Sequence, residues 1–185
     1  MTAASSTTPI GANGIFHQGG IDPGKCGVIA RVRYDLGQRV GRLSLRAIPL
    51  EVHTQKGGER VSPTGVATML RSLDLHALVL EQVFASKGEG AQRAKNFGEG
   101  RGVILGAAAA LEIPFDEPHP SSWKKTMAVP SSKPLSVLRA SQLMPACAGL
   151  WSKFKNQHDE AEAAMLALYG LFSRGLIPLK IVPEN

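Results

Sequence analysis

The chain of 185 residues has only two cysteines, Cys26 and Cys147. Two are too few for a disulfide framework, and neither sits in a paired metal-ligand spacing, so a stapled secreted fold and a zinc ribbon are both excluded. Long apolar runs are missing as well. The longest uncharged one, Gly102 to Leu111, is about half a membrane span, so no membrane partner is expected. The first 20 residues lack the basic start and apolar core of a secretory signal, and MTAASSTTPIGANG reads as a loose Ser/Thr/Gly tail without arginine. These absences lead us to expect a reducing compartment, the cytoplasm, with an organelle as the alternative.

One sign of charge is also missing over a long span. From 118 to 158 there is no Asp or Glu, while Lys124, Lys125, Lys133, Arg139, Lys153 and Lys155 all fall there. Those six cations equal the net charge of the whole chain, +6, and such a region attracts polyphosphate with an affinity that falls as salt rises. A solvated face with scattered lysines is the plainer reading of any charge run. The complete lack of acids favours nucleic acid.

What is present is an ordinary globular composition, 43% apolar and 19% charged, in a length suited to one domain. GGIDPGKCGVIARVRY reads as a strand from near Gly20 through Val28, Ile29 and Ala30, followed by strands in GRLSLRAIPL and LEVHT. SPTGVATMLRSL has a Ser-Pro start and helical spacing at Val66, Met69, Leu70 and Leu73. HALVLE is a short buried strand, 91 to 111 a Gly/Ala-dense helix, and EIPFDEP a short strand ended by Pro118. KPLSVLRASQLM and HDEAEAAMLALYGLF are two further helices. The resulting order, β-β-β-α-β-α-β-α-α, is that of an α/β domain with a mixed sheet.

Against that frame, Glu81 stands out, because a carboxylate directly after the apolar run Ala77 to Leu80 is costly unless water, a cation or a donor meets it. Asp22 sits inside the first strand's start and precedes Pro23-Gly24; alone it reads as a turn aspartate. Asp159 and Glu162 lie three apart on one face of the last helix, where acids also complement the helix dipole. Glu160 is expected to face water. Taken together, two strand-end acids and a helical pair can converge at one sheet edge. Oxygen ligands of that kind hold Mg²⁺, with Mn²⁺ able to substitute, and two such ions about 4 Å apart clamp an in-line phosphoryl displacement. His158 adjoins Asp159 and could position a water or a metal; His119 has less to recommend it. For Trp123, core packing and base stacking are both open, as are a core place and a wedge between bases for Phe84.

These residues resemble the RuvC family of Holliday junction resolvases. The matching pieces are GIDPG at 20–24, LEQVFASK at 80–87, GRGVILGAAA at 100–109, WKKT at 123–126 and HDEAEAAMLALYG at 158–170, over roughly 19 to 172. The resemblance implies an RNase H-like fold, a five-stranded mixed β-sheet flanked by α-helices, with residues 1–18 a flexible N-terminal tail, 19–175 the nuclease domain and 176–185 a C-terminal tail. It implies that Asp22, Glu81, Asp159 and Glu162 are the metal-binding catalytic acids, with His158 or Asp159 in the third role. It implies further that Phe84, Lys87, Arg101, Trp123, Lys124, Lys125 and Lys133 meet DNA, and that a homodimer nicks opposing strands of a four-way junction. The Trp-Lys pair and the last helix look closer to phage-type and organellar members. The competing readings are a broader nuclease of forks and flaps, a protein that binds branched DNA without cutting it, and a small actin-like phosphotransferase. That last fold needs a second lobe, for which the chain has little room.

Overall fold

In the computed structural model, the described residues are 14–23, 27–35, 40–47, 50–53, 58–82, 90–151 and 157–178. The strands are β1 (Ile15–Asp22), β2 (Val28–Asp35), β3 (Val40–Ala47), β4 (Leu50–His53), β5 (Gly58–Val61), β6 (Ala77–Leu80) and β7 (Phe115–Asp116). The helices are α1 (Pro63–Leu73), α2 (Ala91–Ala110), α3 (Pro120–Thr126), α4 (Lys133–Leu143) and α5 (Gln157–Ser173), with a single 3₁₀ turn at Pro145–Cys147. β1, β2, β3, β6 and β7 form one mixed five-stranded sheet in the order β3-β2-β1-β6-β7, the expected α/β architecture. β1 pairs antiparallel with β2 and parallel with β6.

Three elements differ from the sequence expectation. The single strand expected through Val28 is two, since β1 ends at Asp22 and β2 starts afresh at Val28 as its antiparallel partner. β4 leaves the main sheet and forms a separate hairpin with β5, whose GERV carries too little apolar signal to announce a strand. A helix, α3, occupies the start of the acid-free stretch: Pro120 opens it, and the His119 side chain caps it by accepting from the Ser121 N–H. β1 begins at Ile15 and Ile177 packs in the core, positions that fall within the tails expected at 1–18 and 176–185.

β6 reads ALVL because both of its faces are covered. Ala77 and Val79 join Phe16, Val32 and the apolar side of α5, whereas Leu78 and Leu80 join Ile21, Ile29, Val66, Leu70 and Ile104 under α1 and α2. Ser62 starts α1 by accepting the Gly65 N–H on its hydroxyl, and Asp74 ends it in the left-handed conformation at φ 49°. α5 is buried almost all the way round, against β1, β2 and β6 on one side and α4 and α3 on the other.

α5 reaches the sheet this closely because β1 has no side chain beneath it. A Cβ on Gly20 would stand 2.3 Å from both the Ala163 carbonyl oxygen and the Ala167 nitrogen, so the α5 backbone lies directly on the strand. One turn further on, Gly170 makes room for the buried Gln18 side chain in the same way.

The burial of α5 corrects one expectation. Glu160 does not face water: it is 5% exposed, and its Oε2 has no hydrogen-bond partner among the described residues. Burial, reinforced by the charge of Asp159, pushes its carboxyl up from 4.5 to about 7.

Both features are testable by unfolding. Gly20→Ala is expected to cost about 1–3 kcal/mol, lowering the melting temperature by about 3–10 °C. Gly106→Ala, at a helical position with nothing within 4 Å, is expected to gain about 0.5–1 kcal/mol. Equal, small effects at the two positions would contradict the close approach of α5. For Glu160 the raised folded value means that stability is lost as pH climbs from the unfolded value toward about 7. Glu160→Gln should flatten that loss between about pH 5 and 7, as read by denaturant titration at several pH values.

Candidate active site

Parallel pairing of β1 and β6 sets Ile21 opposite Leu80, so the next residues, Asp22 and Glu81, leave the sheet side by side at the same end. The Glu81 N–H donates to the Ile21 carbonyl at 3.2 Å and fixes that register. Strand alternation turns both carboxylates to the face that carries α5, in line with Gly20 and Val79. There the first turns of α5 present His158, Asp159 and Glu162.

The group at the centre is an ammonium. Lys124 Nζ, from α3, donates to both oxygens of Glu162, at 3.0 Å to Oε1 and 2.9 Å to Oε2, and lies 3.8 Å from Glu81 Oε1. Burial alone would lower the Lys124 pKa, but its hydrogen bond to Glu162 and the charges of Glu162, Glu81 and Asp22 together raise it. Glu81 Oε1 also accepts the Trp123 indole N–H at 2.9 Å. Burial raises the Glu81 carboxyl, partly offset by Lys124 and the Trp123 hydrogen bond, while the neighbouring Glu162 raises it further. The question posed by an acid after an apolar strand is thereby answered: a donor and a cation meet Glu81, and both come from α3.

Glu162 is held from further sides. The Ser136 hydroxyl on α4 lies 3.4 Å from its Oε1, and His158 Nε2 lies 3.0 Å from the same atom. The other ring nitrogen of His158 is 3.1 Å from Asp159 Oδ1. His158 thus joins the cluster directly, and Asp159 touches it through His158. Of the four expected acids, Asp22, Glu81 and Glu162 surround Lys124, and Asp159 stands one residue outside.

The cations expected to meet DNA divide. Lys125 and Lys133 are exposed. Lys124 faces the acids, and Arg139 is buried with its Nε donating to the Met127 carbonyl at 3.0 Å. Arg101 is ion-paired with Glu117. Among the described residues the acid-free stretch is therefore not one solvated basic face, because Lys124 and Arg139 turn inward. Trp123 is fully buried, which removes base stacking from its possible roles. Phe84 and Lys87, with Lys153 and Lys155, lie outside the described residues. Ser136 and the use of the Trp123 N–H escaped the sequence reading; for Trp123, the Pro120 helix start one turn before it was the signal that could have placed it.

The donor set is suited to a hard divalent cation, since it consists of carboxylates with one imidazole, and a positive charge already sits among them as the ammonium. Among the described residues, no three His, Cys, Asp or Glu side chains stand together as a metal cage.

No protein-family model and no curated protein sequence matches the chain. Solved structures do. RuvC from Thermus thermophilus, in complex with a Holliday junction substrate, matches at 18% identity and a TM-score of 0.58, over 86% of this chain and 96% of that one. A second structure of Thermus thermophilus RuvC matches at 19% and 0.51, over 88% and 97%. The yeast mitochondrial Holliday junction resolvase matches at 15% and 0.54, over 88% and 79%. With the five-stranded order β3-β2-β1-β6-β7, its strand-end acids and its buried final helix in place, the chain has the RNase H-like fold of the RuvC-type Holliday junction resolvases.

Proposed function

We propose that the protein is a metal-dependent endonuclease that resolves four-way DNA junctions by paired nicks. The observation that carries this reading is the convergence of Asp22, Glu81 and Glu162, from two adjacent parallel strands and the helix above them, on one cation position at the sheet end. Its fold neighbours, one of them bound to a Holliday junction, favour branched DNA over other phosphodiesters. Paired nicks in opposing strands require two such sites, hence a homodimer.

Asp22, Glu81 and Glu162 would hold the ion, with His158 and Asp159 at its α5 side. Mg²⁺, or Mn²⁺ in its place, when bound supplies activation of the attacking water and charge neutralisation at the leaving oxygen. The chain's own groups do the rest. Lys124, freed from Glu162, offers its ammonium to a non-bridging phosphate oxygen, and its stem of four methylenes gives it the reach. Ser136 keeps Glu162 from following it. The apolar layer beneath, from Val79 to Ala163 and Leu166, closes the site to water from the core side. Exposed Lys125 and Lys133 flank the site as phosphate contacts, a role we also assign to Lys87 and, once released from Glu117, to Arg101; Phe84, just past Glu81 in sequence, is assigned the contact with the junction centre.

The decisive experiment offers labelled four-way junction, fork, flap and linear duplex to the protein, with Mg²⁺, with Mn²⁺ and with chelator. Symmetric nicks in the junction are expected, lost with chelator and lost in Asp22→Asn and Glu81→Gln while junction binding persists. Equal cutting of fork and flap would replace the resolvase with a broader branch nuclease, and binding without any metal-dependent cutting would leave a non-cleaving binder. In the same binding assay, the Lys125→Ala, Lys133→Ala double variant should reduce the slope of log affinity against log salt by about 2. An unchanged slope would move the DNA to another face.

A further inference from the structure

α3 supplies both partners of the acidic pair from consecutive residues. Trp123 donates to Glu81, Lys124 donates to Glu162, and the Lys124 ammonium lies 5.3 Å from the centre of the Trp123 ring. The two partners differ in kind. Lys124 is a partly exposed cation on a four-methylene stem, held to Glu162 by its charge. Trp123 is locked: its ring is wholly buried among the core residues beneath α5, and its indole nitrogen can only donate. A buried tryptophan usually finds a partner for that N–H, yet nothing in core packing requires the partner to be a strand-end acid. Trp151, the other buried tryptophan, has no partner for its Nε1 among the described residues.

We propose that Trp123 is a positioning residue for the active site: its fixed indole N–H holds Oε1 of Glu81 and so sets the direction in which the carboxylate faces its cation. An uncharged donor suits this task. It orients the carboxylate without cancelling the negative charge, and it stays in place when Lys124 leaves. The ring face beneath the ammonium gives Lys124 a resting position between the two acids, so one side chain sets the geometry of both charges. This role rests on the reading of Glu81 as a catalytic acid.

Trp123→Phe tests it, since phenylalanine keeps an aromatic face and most of the packing and removes the N–H. Junction affinity should stay at the wild-type level, while turnover and Mn²⁺ affinity, the latter measured by calorimetry without DNA, each fall by about 10- to 100-fold. Wild-type turnover together with wild-type Mn²⁺ affinity would overturn the proposal. A second measurement needs neither catalysis nor the variant's fold. The chain has two tryptophans, so a ¹⁵N spectrum has two indole resonances, and the one that Trp151→Phe leaves behind is Trp123. That resonance is expected to shift in Glu81→Gln and on addition of Mg²⁺; a resonance indifferent to both would overturn the proposal as well. If the wild-type chain cuts no substrate with any metal, it is the nuclease reading that fails, and the indole resonance still decides whether Trp123 holds Glu81.

Discussion

The contact between the α5 backbone and β1 at Gly20 is the constraint on which the remaining structure depends. Helices ordinarily stand off a sheet on a layer of side chains; here the layer is absent at one point, and helix meets strand directly. The alanines of α5 continue that closeness along β1 and β2. The functional consequence is reach. Glutamate is short, and only a helix this close brings Glu162 over the ends of β1 and β6 into the space where Asp22 and Glu81 emerge.

Three carboxylates in one partly buried space repel one another, and the arrangement persists because an opposite charge is built in. Lys124 satisfies both oxygens of Glu162 and stands within ion-pair distance of Glu81. It does so from a helix of only seven residues whose register is set by Pro120 and the His119 cap. The electrostatics of the site thus hang on the start signal of a short helix on the far side of the sequence from both strands.

Much of this was legible in the residues. Glu81 betrays itself because an acid at the end of an apolar strand breaks the pattern that produces the strand, whereas Asp22 alone reads as a turn residue and gains meaning only beside the other acids. α1, α4 and α5 follow from Ser-Pro and Lys-Pro starts and from spacing. What stayed hidden depended on tertiary packing. A wheel drawn for α5 puts Glu160 outward, but the helix is covered on both sides and has no solvent face there. A lone tryptophan gives no sign of where its N–H points, and a lysine-rich run gives no sign of which ammonium turns inward. β5 was invisible because GERV is polar and, among the described residues, pairs with β4 alone.

The inward ammonium also bears on how such a protein comes into being. Sites whose acids can be gathered only around a metal ion leave the chain unfolded until the ion arrives, and their folding answers to metal supply. Here the acids are gathered by a lysine of the same chain. The gathering of these acids is thus a property of the fold itself, not something an ion has to bring about.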